Sequence, residues 1–134
     1  MSDTAIYDTF ATMVIQFAAA QGLPCAYPGR GFTPPTGATA RWLELRWFPN
    51  ETQNYATDDE DGGLKQGFAQ LSACYRPGLG IVVGTLMSDQ IRAAFPKGTS
   101  FAGVRVYRPP WTSSVIEDPE RVMHPVSIPW RGFG

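Results

Sequence analysis

Two helices packed on one face of a largely antiparallel sheet, an α+β fold, is the architecture this sequence predicts. Three observations carry it. Apolar residues recur with helical period over residues 3–21 and 79–95, whereas the stretches between and after them alternate with the period of two that strands require. Nothing in that order repeats as a βαβ unit, which leaves helices gathered on an antiparallel sheet as the simplest arrangement. Glycine (14) and proline (12) are too numerous for a helical bundle and mark short strands, turns and long loops instead. At 134 residues the chain is the size of one domain, 1–134, able to bury about two-thirds of its unfolded surface. Its 17 aromatic residues exclude disorder as a global description.

Each element has its own signature. In residues 3–21, Ile6, Phe10, Met13, Val14 and Phe17 form one stripe, with Ser2 or Asp3 as a cap and Gly22 as a stop before Pro24. Residues 29–41 form a Gly/Pro-rich loop after a short extended piece at Pro24–Pro28, since each residue before a proline is pushed out of helical geometry. Trp42–Phe48 alternates, with Leu43, Leu45 and Trp47 as a clean apolar face. Residues 49–63 make a second long loop, polar and acidic, of a length that signals function or mobility. Leu64–Arg76 is the next strand, with Ala69, Leu71, Ala73 and Tyr75 opposing Gln70, Ser72, Cys74 and Arg76. A helix over Leu79–Phe95 presents Val82, Val83, Leu86, Met87, Ile91, Ala94 and Phe95 as one broad apolar face, and Pro96 ends it. Strands at Gly103–Arg108 and Val122–Ile128 follow, with a strand or turn at Ser113–Glu117.

Charge and cysteine narrow the function classes. Eleven basic against twelve acidic groups leave no footprint for nucleic acid. Four of the acids, Asp58, Asp59, Glu60 and Asp61, fall in one run, so the remainder of the chain is net positive. Nine of the eleven basic residues are arginine, the side chain suited to planar pairing at interfaces. Two cysteines, Cys25 and Cys74, far apart in the chain and without a CxxC motif, read as reduced thiols, and the first residues show no secretory signal. The longest apolar stretch is too short to span a bilayer. These features predict an intracellular protein without a membrane partner.

No catalytic, metal or cofactor site stands out. His124 is alone and inside a strand, which favours a structural role. Cys74 lies on the polar face of its strand, where it could react, but nothing nearby in sequence lowers its pKa, so an inert thiol is favoured. Aligned as a calcium loop with Gly62 at the sixth place, the acidic run puts Thr57 first and Phe68 twelfth, which fails at the decisive ligand positions. It reads first as a solvated loop, then as a protein contact, and only distantly as a cation site. Gly29–Gly31 and Gly78–Gly80 match neither phosphate-binding fingerprint. The four tryptophans are expected in packing.

The order of several segments is more specific. Phe32-Thr33-Pro34-Pro35, the strand Trp42–Arg46 ending in Phe48-Pro49-Asn50, Tyr75-Arg76-Pro77-Gly78 leading into a helix that closes with Phe95-Pro96-Lys97-Gly98-Thr99, Val104-Arg105-Val106 into Arg108-Pro109-Pro110, and Pro125–Arg131 follow one another along the whole chain. In this the sequence resembles the phage tail-terminator-like family. The resemblance implies a structural virion protein at the tail–neck junction, assembled in the host cytoplasm. Such a protein forms a self-associated ring, commonly a hexamer, on the head-proximal end of the tail tube. It stops tube polymerisation and offers a surface to the head–tail connector or head-completion protein. The family is not enzymatic and needs no cofactor. The connection at 49–63 is more acidic than the resemblance implies.

A ring of this kind joins unlike patches on neighbouring copies. Its lumen passes genomic DNA without specific binding, which a positive lining would oppose. Asp58, Asp59, Glu60 and Asp61 are therefore expected toward the lumen or an axial face. A head-closure or connector subunit is the alternative within the same class. A small enzyme or ligand-binding domain is the alternative outside it, and would require a deep apolar pocket holding His124 and Cys74 together.

Overall fold

The first helix, α1, spans Asp3–Gln21. Ser2 precedes it in extended backbone and accepts the Ala5 N–H on its side-chain oxygen, satisfying one of the donors every helix leaves orphaned at its start. Gly22, at φ 67, closes the other end by donating back to the Ala18 and Ala19 carbonyls. A computed structural model describes residues 2–49, 53–54 and 63–133. After α1 come β1 (Cys25–Ala26), β2 (Arg41–Pro49), β3 (Gln53–Asn54), β4 (Gly63–Tyr75), α2 (Ile81–Ala94), β5 (Ser100–Phe101), β6 (Val104–Val106), β7 (Trp111–Thr112), β8 (Ile116–Glu117) and β9 (Val122–Phe133).

The strands form one sheet in the order β1-β2-β4-β9-β6-β5, with β3 beside β4 and β7 and β8 beside β9. Among the described residues, only the β1–β2 pairing is parallel. Register sorts the side chains into rows. Leu43, Ala73 and His124 share one row, then Leu45, Leu71 and Val126, then Trp47, Ala69 and Ile128. These rows, with Val104, Val106 and Trp130, meet Ile6, Phe10, Val14 and Ala18 of α1 and Met87, Ile91 and Phe95 beside or within α2 in one buried cluster. Both helices therefore cover the same face, as the α+β reading expects. Phe10 stacks on Phe95 with ring centres 5.8 Å apart, and Trp47 stacks on Trp130 at 4.6 Å.

β9 corrects the expected strand, which stopped at Ile128. Pro125 and Pro129 lie inside it, although proline normally marks an edge or an end. The register explains their tolerance. On one side β9 pairs continuously with β4 from Val122 to Phe133. On the other it meets only fragments: β8 at Val122–Met123, β7 at Val126–Ser127 and β6 at Trp130–Gly132. The Pro125 and Pro129 carbonyls accept from Ser113 and Tyr107 on that fragmented side, so the missing proline N–H groups also point there. Each proline occupies a gap between fragments and costs the β4 ladder nothing. The strand or turn expected at Ser113–Glu117 narrows to β8, with β7 just ahead of it at Trp111–Thr112, and the one expected at Gly103–Arg108 narrows to β6.

Three further expectations change. α2 begins at Ile81, after the chain turns at Gly78 and Gly80. Its broad apolar face is not buried whole: Met87, Ile91 and Phe95 are buried and Val83 half-buried, while Val82 and Leu86 stand in solvent. At 100° per residue a single helix on a sheet cannot bury so wide an arc. Finally, the face of β4 that carries Cys74, expected to be polar, holds a core of its own. Trp42 is fully buried with Cys74 and Met123 beneath Phe32 and Ala40 of the 29–41 loop, a second small core on the far side of the sheet.

Candidate assembly surfaces

Antiparallel pairing decides the fate of the reactive side chains. His124 is opposite Ala73 and faces the helices, whereas Cys74 is opposite Met123 and faces the second core. The pair that an enzyme reading requires is thus split by the sheet itself. His124 lies under α2, its Nε2 3.0 Å from the Tyr75 hydroxyl, and burial pushes its pKa down while raising that of Tyr75. Gly84 permits this approach: a Cβ there would sit 2.2 Å from the His124 ring.

Cys74 was expected on an accessible polar face, and the second core buries it completely. Its thiol donates to Glu44 Oε2 at 3.4 Å, and burial followed by the Glu44 charge drives its pKa far up, the opposite of an activated nucleophile. Cys25 is half-buried and pushed up to about 11, chiefly by burial. Both thiols are free. Among the described residues no group of His, Cys, Asp and Glu is placed to hold a metal ion, and no helix is long and apolar enough to cross a membrane.

Polar groups on the far face act as a strap. Glu44 Oε2 accepts from the Trp42 indole N–H at 3.1 Å, from Cys74 and from the Arg121 guanidinium. Arg76 donates twice to the Pro35 carbonyl, at 2.6 and 3.2 Å, and once to the Glu120 carbonyl, with its guanidinium 5.0 Å from the Trp42 ring centre. Arg76 therefore pins the 29–41 loop over Trp42. Asp118 accepts the Glu120 and Arg121 N–H groups in a tight turn, bonds that lower its pKa, the Arg121 one most. The 29–41 loop and the 118–121 turn are thus held in place.

Among the described residues, two open surfaces stand out. The first is the outer side of α2, where Ile81, Val82 and Leu86 are 60%, 64% and 58% exposed. Arg92, bonded to Asp89 and to the Thr112 hydroxyl, ties the far end of that helix to β7. The second is the end of the sheet at β5 and β6. Phe101 is exposed beside a two-residue turn in which Ala102 and Gly103 both have positive φ, at 47° and 88°. Such turns favour Asn-Gly, so Ala102 is strained. Arg105 and Arg131 flank this turn on the outer face. The sequence reading missed both surfaces. The alternation of Val104, Arg105 and Val106 signals an outward arginine, but only β9 supplies its neighbour. The expected interaction residues Asp58, Asp59, Glu60 and Asp61 lie outside the described residues.

Among the described residues, then, the 29–41 loop is pinned, the sheet parts His124 from Cys74, and apolar and arginine surfaces lie open. Residues 5–130 match the family described as phage tail terminator protein. The chain belongs to the phage tail terminator family. It is on that ground a structural component of a phage virion tail, in a family that is not enzymatic. One solved structure superposes on the whole chain and on 97% of its own length, with a TM-score of 0.77 at 20% identity. A chain in the virion of a native gene transfer agent particle superposes on 97% of this terminator-family protein and 98% of itself, with a TM-score of 0.59 at 15% identity. At these identities both show a shared fold. No curated protein matches the sequence.

Proposed function

We propose that this terminator-family chain assembles as a homo-oligomeric ring, a hexamer, on the head-proximal end of the tail tube. There it stops addition of tube subunits and presents its other face to the head–tail connector at the neck. The observation that carries this reading is the family match over residues 5–130. The fold shared with a chain of a gene transfer agent virion supports it. The uncovered α2 face, Ile81, Val82 and Leu86, supplies an apolar contact of the kind found at the centre of subunit interfaces. A closed ring joins this face to a different patch on the next copy. Asp58, Asp59, Glu60 and Asp61 face the lumen or an axial rim, where carboxylates keep the passage unfavourable to DNA phosphates.

The test is tube length. With the purified chain added, tube protein polymerising in vitro gives short tubes with a ring at one end by electron microscopy, and Leu86→Asp gives long, bare ones. Phage lacking the chain give overlong tails. Normal-length tails that fail to join heads would instead favour the connector role, and tubes whose length ignores the chain would remove the proposal.

A further inference from the structure

Strand register places opposite charges at the two ends of β9. At its C-terminal end Gln66, Arg131, Arg105 and Ser100 share one row across β4, β9, β6 and β5. Arg131 and Arg105 are direct partners in that row, so two guanidinium groups leave the same face side by side, a pairing that repels. The Arg131 guanidinium lies 4.2 Å from the ring centre of Tyr107, and that of Arg108 lies 5.4 Å from the same ring. Ser100, Gly103, Tyr107 and the two paired arginines line a depression of about 390 Å³. Among the described residues neither of the paired arginines has a carboxylate partner, whereas Arg92 and Arg121 each do. Arg131 Nε is buried without a hydrogen-bond acceptor. Two forked donors held together, one with a buried unpaired N–H, call for a planar oxyanion from outside the site.

The other end of β9 supplies that chemistry. There Glu117 of β8 is opposite Val122, and the turn from β8 into β9 carries Glu120. Both glutamates are exposed and, among the described residues, neither side chain has a cation partner, whereas Asp118 between them is paired with Arg121. From Val122 to Arg131 the strand runs roughly 30 Å, at a rise of about 3.3 Å per residue, so these carboxylates do not reach the arginines of their own copy. Each end also carries exposed apolar surface. Glu117 lines a depression with Ile81, where the uncovered face of α2 begins, and Phe101 stands in the turn beside Arg105. Charge around an apolar centre is the make-up of a subunit contact. A DNA path instead needs a basic stripe, yet the rows next to the arginines hold Phe48, Phe68 and Pro129, then Gln70 and Ser127 beside Arg46, then the acid Glu44. We infer that Arg105 and Arg131 of one copy receive Glu117 and Glu120 of the next, so that opposite ends of β9 meet at every boundary of the ring. This rests on the ring proposed above and names the unlike patches that a closed ring requires.

Charge exchange in the full chain tests it, read by electron microscopy as rings on tube ends. Arg105→Glu with Arg131→Glu gives a folded chain that forms no ring, and Arg105→Gln with Arg131→Gln gives the same loss without new charge. Glu117→Arg with Glu120→Arg keeps the native melting temperature and also abolishes the ring. All four charge reversals in one chain restore it. So does a one-to-one mixture of the two reversed variants, in which receptor and ligand match only between unlike copies. Rings formed by the arginine variants alone, or failure of both restorations, would overturn the inference. Arginine variants that keep the ring but lose binding to a short DNA duplex would overturn it and make phosphate the ligand; variants that keep the ring but no longer join heads would overturn it and move the carboxylate to the connector. A native chain that forms no ring with tube protein present removes the ring reading and this inference with it, a result distinct from rings that ignore the arginines.

Discussion

The two faces of the sheet are built to different rules. The helix-covered face is a continuous apolar layer in which Phe10, Leu71, Ile91 and Val126 are fully buried. The far face buries one small core around Trp42, carries Phe48 stacked on Phe68 apart from it, and fastens its loops with charge-assisted bonds from Arg76, Arg121 and Glu44. It ends in two arginines with no carboxylate partner among the described residues. Dispersion and water exclusion act on the first face without direction, so the helices there need only the right stripe. Hydrogen bonds on the second are directional, so each loop has one position. Most of the buried apolar core lies on one face, and the open surfaces lie on the other and on the outer side of α2.

Substitutions sharpen that contrast. Phe10→Ala removes a ring that touches both Phe95 and Trp47 and is expected to cost about 3–5 kcal/mol in denaturant unfolding, the largest effect. Gly84→Ala drives a methyl group into the His124 and Tyr75 rings, and about 3 kcal/mol is expected from the forced shift of α2; a native-like midpoint would mean the helix does not rest on His124. On the far face Arg76→Ala should cost only about 1–2 kcal/mol globally, since the group is part-exposed. Its signature is local: hydrogen exchange in residues 29–40 accelerates while α1 and β4 stay protected. Equal acceleration everywhere would erase the distinction between the faces.

Acidity tests the buried face again. The folded state holds His124 below its ordinary 6.5, so between the two values the unfolded chain binds the extra proton. Stability is full above about pH 6.5 and declines as pH falls, by at most about 1.4 kcal/mol per unit. The Asp118 shift acts only lower, around and below the ordinary carboxylate value of 3.8. Thermal melts from pH 7.5 to 5 should show this slope, flattened in His124→Asn. Smallest is Ala102→Gly, which relieves the positive φ of the β5–β6 turn and should raise stability by about 0.5–1 kcal/mol.

Much of this fold is legible along the chain. The α1 stripe, its Ser2 cap and Gly22 stop, and the alternation of β2 and β4 are local patterns, and the structure repeats them nearly residue for residue. The misreadings share one origin. Pro129 looks like a strand end because a sequence does not show which side of β9 its missing donor faces. Val82 and Leu86 look buried because apolarity does not say how wide an arc the sheet covers. Cys74 looks accessible because the loop that roofs it lies more than thirty residues earlier in the chain. The open arginine surface was hidden for the same reason, since Arg105 and Arg131 become neighbours only through pairing.

Residue order alone determined the element types, the α+β class and the likeness to tail terminators, because periodicity, caps and breakers act over a few residues. Tertiary structure alone decided which groups meet: His124 with Tyr75, Cys74 with Glu44, Arg105 with Arg131. Those meetings depend on strand register, and register is set by burial of a whole face at once, which no short stretch of chain contains.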